Sequence, residues 1–222
     1  MPLVWVLPHT LYFCLSLCFF FFTMDRFADL ESLFDHIWTY VETGARDRSH
    51  PFYTPTLATA LEAPNLRTVV LRTASRADRM LAFHSDRRAQ KVGEIRGNER
   101  IAWHHWNADT SEQLRLKGTA TVHTDDGVAD ALWADATPRQ RAIYVKPTAP
   151  NTPVDDPASG LAPNVQAADA PSEDDVRDGR RYFAAVRTVI EEITWLHLHP
   201  EGHYRARFRW NDGAWQGSWV IP

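Results

Sequence analysis

The chain has 222 residues, of which 44% are hydrophobic, 23% charged and 12% aromatic, which suits one globular domain with a sizeable core. Its 24 basic and 28 acidic residues give a formal net charge of −4. A general nucleic-acid binder is therefore not expected, because phosphate contacts require a basic surface.

The first 23 residues differ in composition from the rest. No charged side chain precedes Asp25, and residues 19–22 are four consecutive phenylalanines. About twenty apolar residues can span a membrane, but prolines and a histidine interrupt this run. A secretory signal would carry a basic start and a small-residue cleavage site, and neither is present. We expect a start codon assigned too early, with translation beginning at Met24; a membrane anchor or a signal peptide are the alternatives.

Both cysteines, Cys14 and Cys18, lie in this apolar leader. Residues 24–222 therefore offer no disulfide, no thiolate nucleophile and no cysteine-ligated metal site. We predict that residues 24–222 form a single domain in the cytoplasm, with no membrane partner unless the leader is a genuine anchor.

The first predicted element is an amphipathic helix with Asp25 as its cap and Gly44 as its end. Its apolar residues at helical spacing are Phe27, Leu30, Phe34, Ile37, Trp38 and Val41. Strands rich in Val, Leu, Thr and Phe follow, separated by turn residues. These strands are predicted at Thr56–Leu61, Leu66–Thr73 and Met80–Ser85.

The middle of the chain alternates short helices and strands. A helix is predicted at Arg88–Arg96, closed by Gly97 and Asn98. Strand character returns at Ile101–Trp106 and Gln113–His123. Short helices are predicted at Asp126–Trp133 and Pro138–Tyr144, the second with proline at its first position.

A change of composition follows. Between Val145 and Arg181 there is no aromatic residue and there are six prolines. Such a stretch cannot bury enough apolar surface to order itself independently, so we predict a surface insertion at about residues 145–172, with a substrate-side lid as an alternative.

The C-terminal part is predicted as a helix at Glu173–Val189 followed by three strands. These strands are Ile193–Leu198, Tyr204–Trp210 and Trp215–Val220, and the Asn-Asp-Gly turn at 211–213 is a hairpin signal. Seven or eight short strands with few helices indicate an antiparallel barrel with helices around it.

Candidate ligand-binding residues are spread along the first half of this pattern. The sequence contains no dinucleotide fingerprint, phosphate loop, zinc-protease motif or nucleophile elbow. Arg67 and Arg72 lie on one predicted strand, and Phe83-His84-Ser85 ends another. Arg88 and Lys91 lie three residues apart at a predicted helix start, where free N–H groups attract anions. Taken alone, this pair also fits a solvated basic helix.

The order and spacing of these groups resemble the FMN-binding half of the pyridoxamine 5′-phosphate oxidase family, the split-barrel flavoproteins. In that family an R-x-V-x-L-[KR] strand, an [FY]-x-[ST] strand end, a basic helix start with Lys, and Gln five residues before Gly occur in this order. The matching positions here are Arg67–Arg72, Phe83–Ser85, Arg88 with Lys91, and Gln113 with Gly118. The resemblance extends over residues 54–222 apart from the insertion.

The resemblance implies a mainly β, α+β fold: an antiparallel split β-barrel with flanking helices. It also implies FMN as the cofactor, and a homodimer with the flavin at the interface. Arg67, Lys91 and the helix start at Arg88 would hold the FMN phosphate, and Gln113 would contact the isoalloxazine edge. Trp195 and Arg207 would lie against the partner's flavin. The full implied set is Arg67, Val69, Phe83, His84, Ser85, Arg88, Lys91, Gln113, Trp195 and Arg207.

The substrate side departs from the family pattern. An Arg-x-x-x-Ser arrangement clamps the substrate phosphate in the oxidase, whereas this chain has Tyr144-Val-Lys146-Pro at that place. The family's substrate-facing Arg and His fall, in exchanged order, at His203 and Arg205. We therefore expect an FMN-dependent oxidoreductase for a small molecule, with true pyridoxamine 5′-phosphate oxidase activity doubtful. The substrate-side candidates are Arg72, Tyr144, Lys146, His203 and Arg205; no catalytic residue is assigned.

Two other functions stay open: an FMN-holding module without turnover, and a haem-binding split barrel. A metal site can be drawn from His197, His199 and His203. Histidines on strands beside tryptophan are more often packed or solvated, so no metal site is predicted.

Overall fold

A computed structural model describes Phe27 and residues 29–222. The predictions for the leader, its two cysteines and the Asp25 cap fall on residues outside this described part. No helix within it is long and apolar enough to cross a membrane.

The described residues form nine strands and six α-helices. The strands are β1 (Thr56–Ala60), β2 (Pro64–Thr68), β3 (Leu71–Ser75), β4 (Met80–Asp86), β5 (Arg100–Asn107), β6 (Glu112–His123), β7 (Phe183–His197), β8 (Tyr204–Asn211) and β9 (Ala214–Val220). The helices are α1 (Leu30–Arg46), α2 (Gln90–Gly97), α3 (Gly127–Asp135), α4 (Pro138–Ala142), α5 (Pro163–Gln166) and α6 (Glu173–Val176), with 3₁₀ turns at Pro51–Tyr53 and Arg177–Tyr182.

All nine strands belong to one antiparallel sheet, in which the 15-residue β7 pairs with three other strands. Strand β6 pairs along almost the whole of β7 on one side. On the other side, β4 pairs with the first half of β7 and β8 with the second half. Two curved sub-sheets, β2-β1-β5-β6 and β3-β4 with β8-β9, therefore diverge from β7, which is the geometry of a split barrel.

A β-bulge at Glu191 of β7, opposite Lys117 and Gly118 of β6, lets the sheet curve around its core. The pairing of β6 with β7 shifts register between Lys117 and Gly118. A Cβ atom on Gly118 would lie 2.0 Å from the carbonyl oxygen of Val189, so only glycine allows the two backbones to approach this closely.

The two faces of the sheet differ in chemistry. Register places Arg67, Leu57, Trp103, Leu116 and Ile193 in one row across β2, β1, β5, β6 and β7. The last four of these side chains are fully buried, so this inner face lines the core, which α1 covers with Leu33, Ile37, Trp38 and Val41. The alternate positions point outward.

Helix α1 is present but its ends differ from the prediction. The Asp29 side chain caps the helix by accepting the Ser32 N–H at 2.7 Å, so the helix begins at Leu30 rather than after Asp25. It continues past Gly44 to Arg46. A Cβ at Gly44 would lie 2.7 Å from the Cβ of Phe52, so this glycine serves close packing and does not end the helix.

The strand predicted at Leu66–Thr73 is two strands. The chain leaves β2 after Thr68 and enters β3 at Leu71. Between them Val69 donates its N–H to the carbonyl of Pro55 at 3.0 Å and buries its side chain. Three consecutive β-branched residues, Thr68, Val69 and Val70, cover this change of strand, and periodicity carries no information about pairing partners.

The helix predicted at Glu173–Val189 is wrong beyond Val176. A 3₁₀ turn follows, and β7 begins at Phe183. Residues 183–186 are all buried, because helix α3 and Tyr144 cover one face and the core lies on the other. A strand buried on both faces lacks the alternation that identifies strands in sequence.

The proline-rich insertion is anchored rather than independent. Ala142, Val145, Val165 and Val176 form a small buried cluster, and the Ala162 N–H donates to the Val145 carbonyl at 2.9 Å. Residues 151–159 are exposed throughout. The two ends of the insertion are therefore packed against each other and against α4 and α6.

Candidate functional site

A charged cluster lies where the start of α2 meets β1 and β2. The Glu94 carboxylate accepts hydrogen bonds from Thr59 and Arg67 on one oxygen, at 2.6 and 2.7 Å. Its other oxygen accepts from Asn65 and Gln90, at 2.8 and 2.9 Å. Arg67 donates a further bond to the buried Thr59 hydroxyl. Glu94 thus fixes the guanidinium of Arg67 at the end of the barrel.

Lys91 lies beside this cluster without a carboxylate of its own. Its Nζ is 3.4 Å from the hydroxyl of the buried Ser85, and no carboxylate in the described part of the chain lies within salt-bridge distance. Burial, and then the neighbouring Arg67, lower the pKa of Lys91. A half-buried ammonium beside a second cation is a site that attracts an anion.

The third expected phosphate-binding cation, Arg88, is engaged elsewhere. Arg88 lies before the Ala89 N-cap of α2, so Arg88 and Lys91 do not share a helix face as predicted. Its guanidinium pairs with Asp86 through two bonds of 2.7 and 3.0 Å. Of the three cations, Arg67 and Arg88 each have a carboxylate, and Lys91 carries the positive charge that is left over.

A cleft of about 470 Å³ opens next to this cluster, and its volume is in the range of small-ligand sites. Asn65, Gln90 and Glu94 line its polar side, and Leu61 and Pro64 line its apolar side. The polar side is therefore formed by the residues that orient Arg67.

A second group of polar side chains surrounds Phe183. The imidazole of His84 and the ring of Tyr144 both meet Phe183 edge-on, with centroids 4.8 and 5.2 Å away. Burial, and then the charge of Arg72, lower the pKa of His84 to about 4, and burial raises the pKa of Tyr144. The structure thus brings together Arg72, His84 and Tyr144 from separate predicted segments.

Arg72 has no carboxylate partner in the described residues, and its Nη1 lies 3.4 Å from the Tyr53 hydroxyl. The Nε2 atom of His84 is buried without a hydrogen-bond partner among the described atoms. These two groups and the Tyr144 hydroxyl can donate to an anionic or carbonyl oxygen.

The outer face of the sheet carries a different set. Gln113, Leu196 and Arg205 are aligned across β6, β7 and β8, and in the next row Arg115 and Arg207 flank Thr194. Directly opposed residues share a face, so Gln113, Arg205 and Arg207 form one polar surface. None of the arginines in these two rows, Arg115, Arg205 and Arg207, has a carboxylate within salt-bridge distance in the described chain.

Trp195 is not part of that surface. It pairs with Leu114 and Ala206 on the inner face and is 4% exposed. Its ring packs edge-on against Phe27 and Trp219, and its Nε1 is buried without a partner among the described atoms. The structure therefore separates Trp195 from Arg207, although the resemblance gives both the same role.

The remaining predicted site residues are dispersed. Phe83 is fully buried and packs edge-on against Trp103, and Val69 is buried in the same core. Lys146 lines a separate cleft of about 180 Å³ with Arg181 and Tyr182, and His203 is exposed in the turn between β7 and β8. No group of three or more His, Cys, Asp or Glu among the described residues is arranged to hold a metal ion.

Sequence reasoning missed Glu94, Thr59 and Asn65. Glu94 follows Lys91 by three residues on α2, so helical spacing could have placed both beside one site. Thr59 and Asn65 carry no signal in the sequence, because only the β1–β2 pairing brings them to α2.

Comparison with known proteins decides between the possible ligands. Residues 35–124 match the family model described as pyridoxamine 5′-phosphate oxidase, FMN-binding domain. This part of the chain is therefore similar to the FMN-binding domain of the pyridoxamine 5′-phosphate oxidase family. The match spans α1 to β6 and includes Arg67, Lys91 and Glu94, and it confirms FMN as the cofactor expected from the sequence. No curated protein matches the chain.

Solved structures show the same fold. A pyridoxamine 5′-phosphate oxidase-related, FMN-binding protein of Nostoc punctiforme superposes with a TM-score of 0.68 at 20% identity, covering 85% of this chain and 96% of that one. PhzG of Burkholderia lata, solved with tetrahydrophenazine-1-carboxylic acid, gives 0.63 at 16% identity, covering 90% and 95%. The predicted antiparallel split barrel is confirmed, with nine strands instead of seven or eight.

The residues present fit FMN. The phosphate is an anion, and the half-buried Lys91 beside Arg67, which has no carboxylate within salt-bridge distance in the described residues, would supply a positive charge for it. Bound FMN would supply the redox chemistry, and the chain would supply orientation and electrostatics.

The depressed pKa of His84 yields a direct test. Replacing Arg72 with Gln removes one of its two causes, so the pKa of His84 should rise from about 4 toward 6.5, incompletely because burial remains. An NMR titration of the imidazole of the FMN-free protein measures this shift. Arg100→Gln, which removes an exposed cation elsewhere, is the control and should leave the titration unchanged.

The lowered pKa of His84 also makes the free energy of unfolding depend on pH. The pKa of His84 in the folded protein lies below the ordinary histidine value of 6.5, so the unfolded chain binds the extra proton between pH 6.5 and 4. The free energy of unfolding should fall as the pH falls through this window, by up to about 1.4 kcal/mol per pH unit from this residue. Arg72→Gln should narrow the pH range over which the free energy of unfolding falls. An unchanged range would exclude Arg72 as a cause of the lowered pKa of His84.

Proposed function

We propose that the protein is a homodimeric, FMN-dependent oxidoreductase that acts on a small molecule in the cytoplasm. The observation that supports FMN binding most directly is the uncompensated Lys91 ammonium beside Arg67, within the matched domain. The family takes its name from an oxidase, and PhzG was solved with a small aromatic carboxylic acid.

In this proposal Lys91 and Arg67 hold the FMN phosphate and Ser85 donates its hydroxyl to the phosphate or the ribityl chain. The charge-assisted bonds are worth roughly 1.5–3 kcal/mol each, enough for two of them to retain the cofactor. Glu94 orients the guanidinium of Arg67 by accepting a hydrogen bond from it. Val69, Phe83 and His84 would shape the pocket from β4 and the turn before β3.

The register of the sheet supports a homodimer. Arg67 lies on the inner-face row of β2, whereas Gln113 and Arg207 lie on the outer face. A single chain cannot apply both faces of its sheet to one flavin. A second copy can, by laying its outer face with Gln113 and Arg207 over the first copy's flavin. We therefore propose that each of two sites combines residues from both chains.

The substrate side would be formed by Arg72 and Tyr144 on one chain and by His203 and Arg205 near the outer face. Arg72 lacks a carboxylate partner in the described chain, which favours a substrate with an anionic substituent. Lys146 completes the expected set at the start of the insertion.

Replacing Lys91 with Ala should weaken FMN binding by about ten- to a hundred-fold, because a charged donor to the phosphate is lost. Riboflavin, which has no phosphate, should bind equally to both proteins. Fluorescence titration of the cofactor-free protein gives both affinities. Arg96→Ala removes a cation from the other end of α2 and should leave both values unchanged; equal FMN affinity of Lys91→Ala and wild type would refute the assignment.

Mixed dimers test the shared site. Chains with Lys91→Ala and chains with Arg207→Ala each form homodimers without an intact site. In a mixed dimer one site carries both defects and the other carries neither, so half of the sites should bind FMN with wild-type affinity. If the site is built within one chain, no mixed dimer regains wild-type affinity. Arg209→Ala, on the same strand as Arg207, serves as the control.

Stopped-flow reduction tests turnover. His203→Ala and Arg205→Ala should keep FMN affinity nearly unchanged and slow reduction of the bound flavin by about ten-fold or more, because they lie away from the phosphate. NAD(P)H and small amines are the reductants to screen. If none of them reduces the wild-type flavin, the alternative of an FMN-holding module without turnover gains the support instead.

A further inference from the structure

We propose that Arg88 is a positioning residue: it fastens the proline-rich insertion to the flavin site and does not hold the FMN phosphate. The proposal rests on the proposed function only in its FMN measurements. Its other support is the set of contacts that the guanidinium makes with residues 86, 146, 147 and 182.

The donors of Arg88 are nearly all in use. Nε and Nη2 bind the two oxygens of Asp86, Nη2 also donates to the carbonyl of Lys146 at 2.8 Å, and Nη1 donates to the carbonyl of Pro147 at 3.3 Å. The guanidinium also lies over the ring of Tyr182, 3.6 Å from its centroid. Only one of its five N–H groups has no protein acceptor in the described part of the chain.

These contacts join three segments that the sequence separates. Asp86 ends β4, Lys146 and Pro147 begin the insertion, and Tyr182 precedes β7. The planar fork of arginine suits this arrangement because it can bind a carboxylate and two carbonyls while its face stacks on a ring. A lysine at this position would keep the charge and lose the geometry.

The insertion also contacts the charged cluster around Glu94. The amide of Asn151 donates to Gln90 at 3.4 Å, and Gln90 in turn donates to Glu94, which holds Arg67. The segment that Arg88 fastens carries Lys146 and directly follows Tyr144, and both are substrate-side candidates. Arg88 would therefore set the position of the substrate side relative to the flavin.

The neighbouring Arg87 provides a matched control. It has the same charge and the adjacent position, but its guanidinium pairs with the exposed Asp125 and donates to the carbonyl of Arg181 at 3.5 Å. Among the described residues it makes no hydrogen bond to the insertion. Loss of Arg87 removes the same charge from the start of α2 without releasing residues 146 and 147.

The experiment compares Arg88→Ala, Arg88→Lys and Arg87→Ala in the full chain by two measurements. Hydrogen exchange followed by mass spectrometry reports on peptides covering residues 145–162, and fluorescence titration gives the affinities for FMN and riboflavin. We expect exchange of the insertion to accelerate by about ten-fold in both Arg88 variants and by less than about two-fold in Arg87→Ala. FMN affinity should stay within about two-fold of wild type in all three.

A phosphate-binding Arg88 gives a different result. FMN affinity would then drop in Arg88→Ala and recover in Arg88→Lys, because the charge returns. Neither substitution would change the affinity for riboflavin or the hydrogen exchange of the insertion. That pattern would overturn the proposal, as would unaltered exchange in both Arg88 variants. If the wild-type protein binds no FMN, the proposed function fails, and the exchange measurements still decide whether Arg88 fastens the insertion.

Discussion

The pairing of β7 with three other strands is the constraint on which the rest of the structure depends. Its first half joins β4, which carries His84 and Ser85, and its second half joins β8, which carries Arg205 and Arg207. Strand β6 spans both halves, and the bulge in β7 opposite Gly118 lets the two strands bend together. The inner surface of this bent sheet becomes the core, and its outer surface becomes a polar face with three unpaired arginines among the described residues.

Charge balance determines what each arginine near the flavin site can do. Glu94 neutralises and orients Arg67, and Asp86 engages Arg88, so Lys91 is the cation whose charge is left for an anion. Surface ion pairs contribute little to stability, but these pairs are mostly buried and saturated with hydrogen bonds. Their consequence is specificity, because each fixes a guanidinium in one direction. Three cations on a fully solvated surface would have no such division of roles.

The sequence predicted much of this arrangement because the motif residues act through local geometry. Ser85 at a strand end and Lys91 in the first turn of α2 are close in the chain, and the structure places them within 3.4 Å. The Asn-Asp-Gly turn forms the β8–β9 hairpin, with Asp212 and Gly213 at positive φ. The failures concern long-range effects: the first part of β7 was predicted as a helix because both of its faces are buried. The contacts of Arg88 with Lys146, Pro147 and Tyr182 could not be predicted either, because these residues are distant from it in sequence.

By itself the sequence determined the mainly antiparallel architecture, the matched FMN-binding domain and Lys91 as a candidate for the phosphate. Turn chemistry, strand propensity and motif spacing are local properties, and they survive without knowledge of the fold. The tertiary structure alone decided that Arg67 and Arg207 lie on opposite faces, that Trp195 belongs to the core, and that Arg88 binds the insertion. Those outcomes follow from strand register and from which carboxylate or carbonyl reaches each cation, and neither can be read along a single chain.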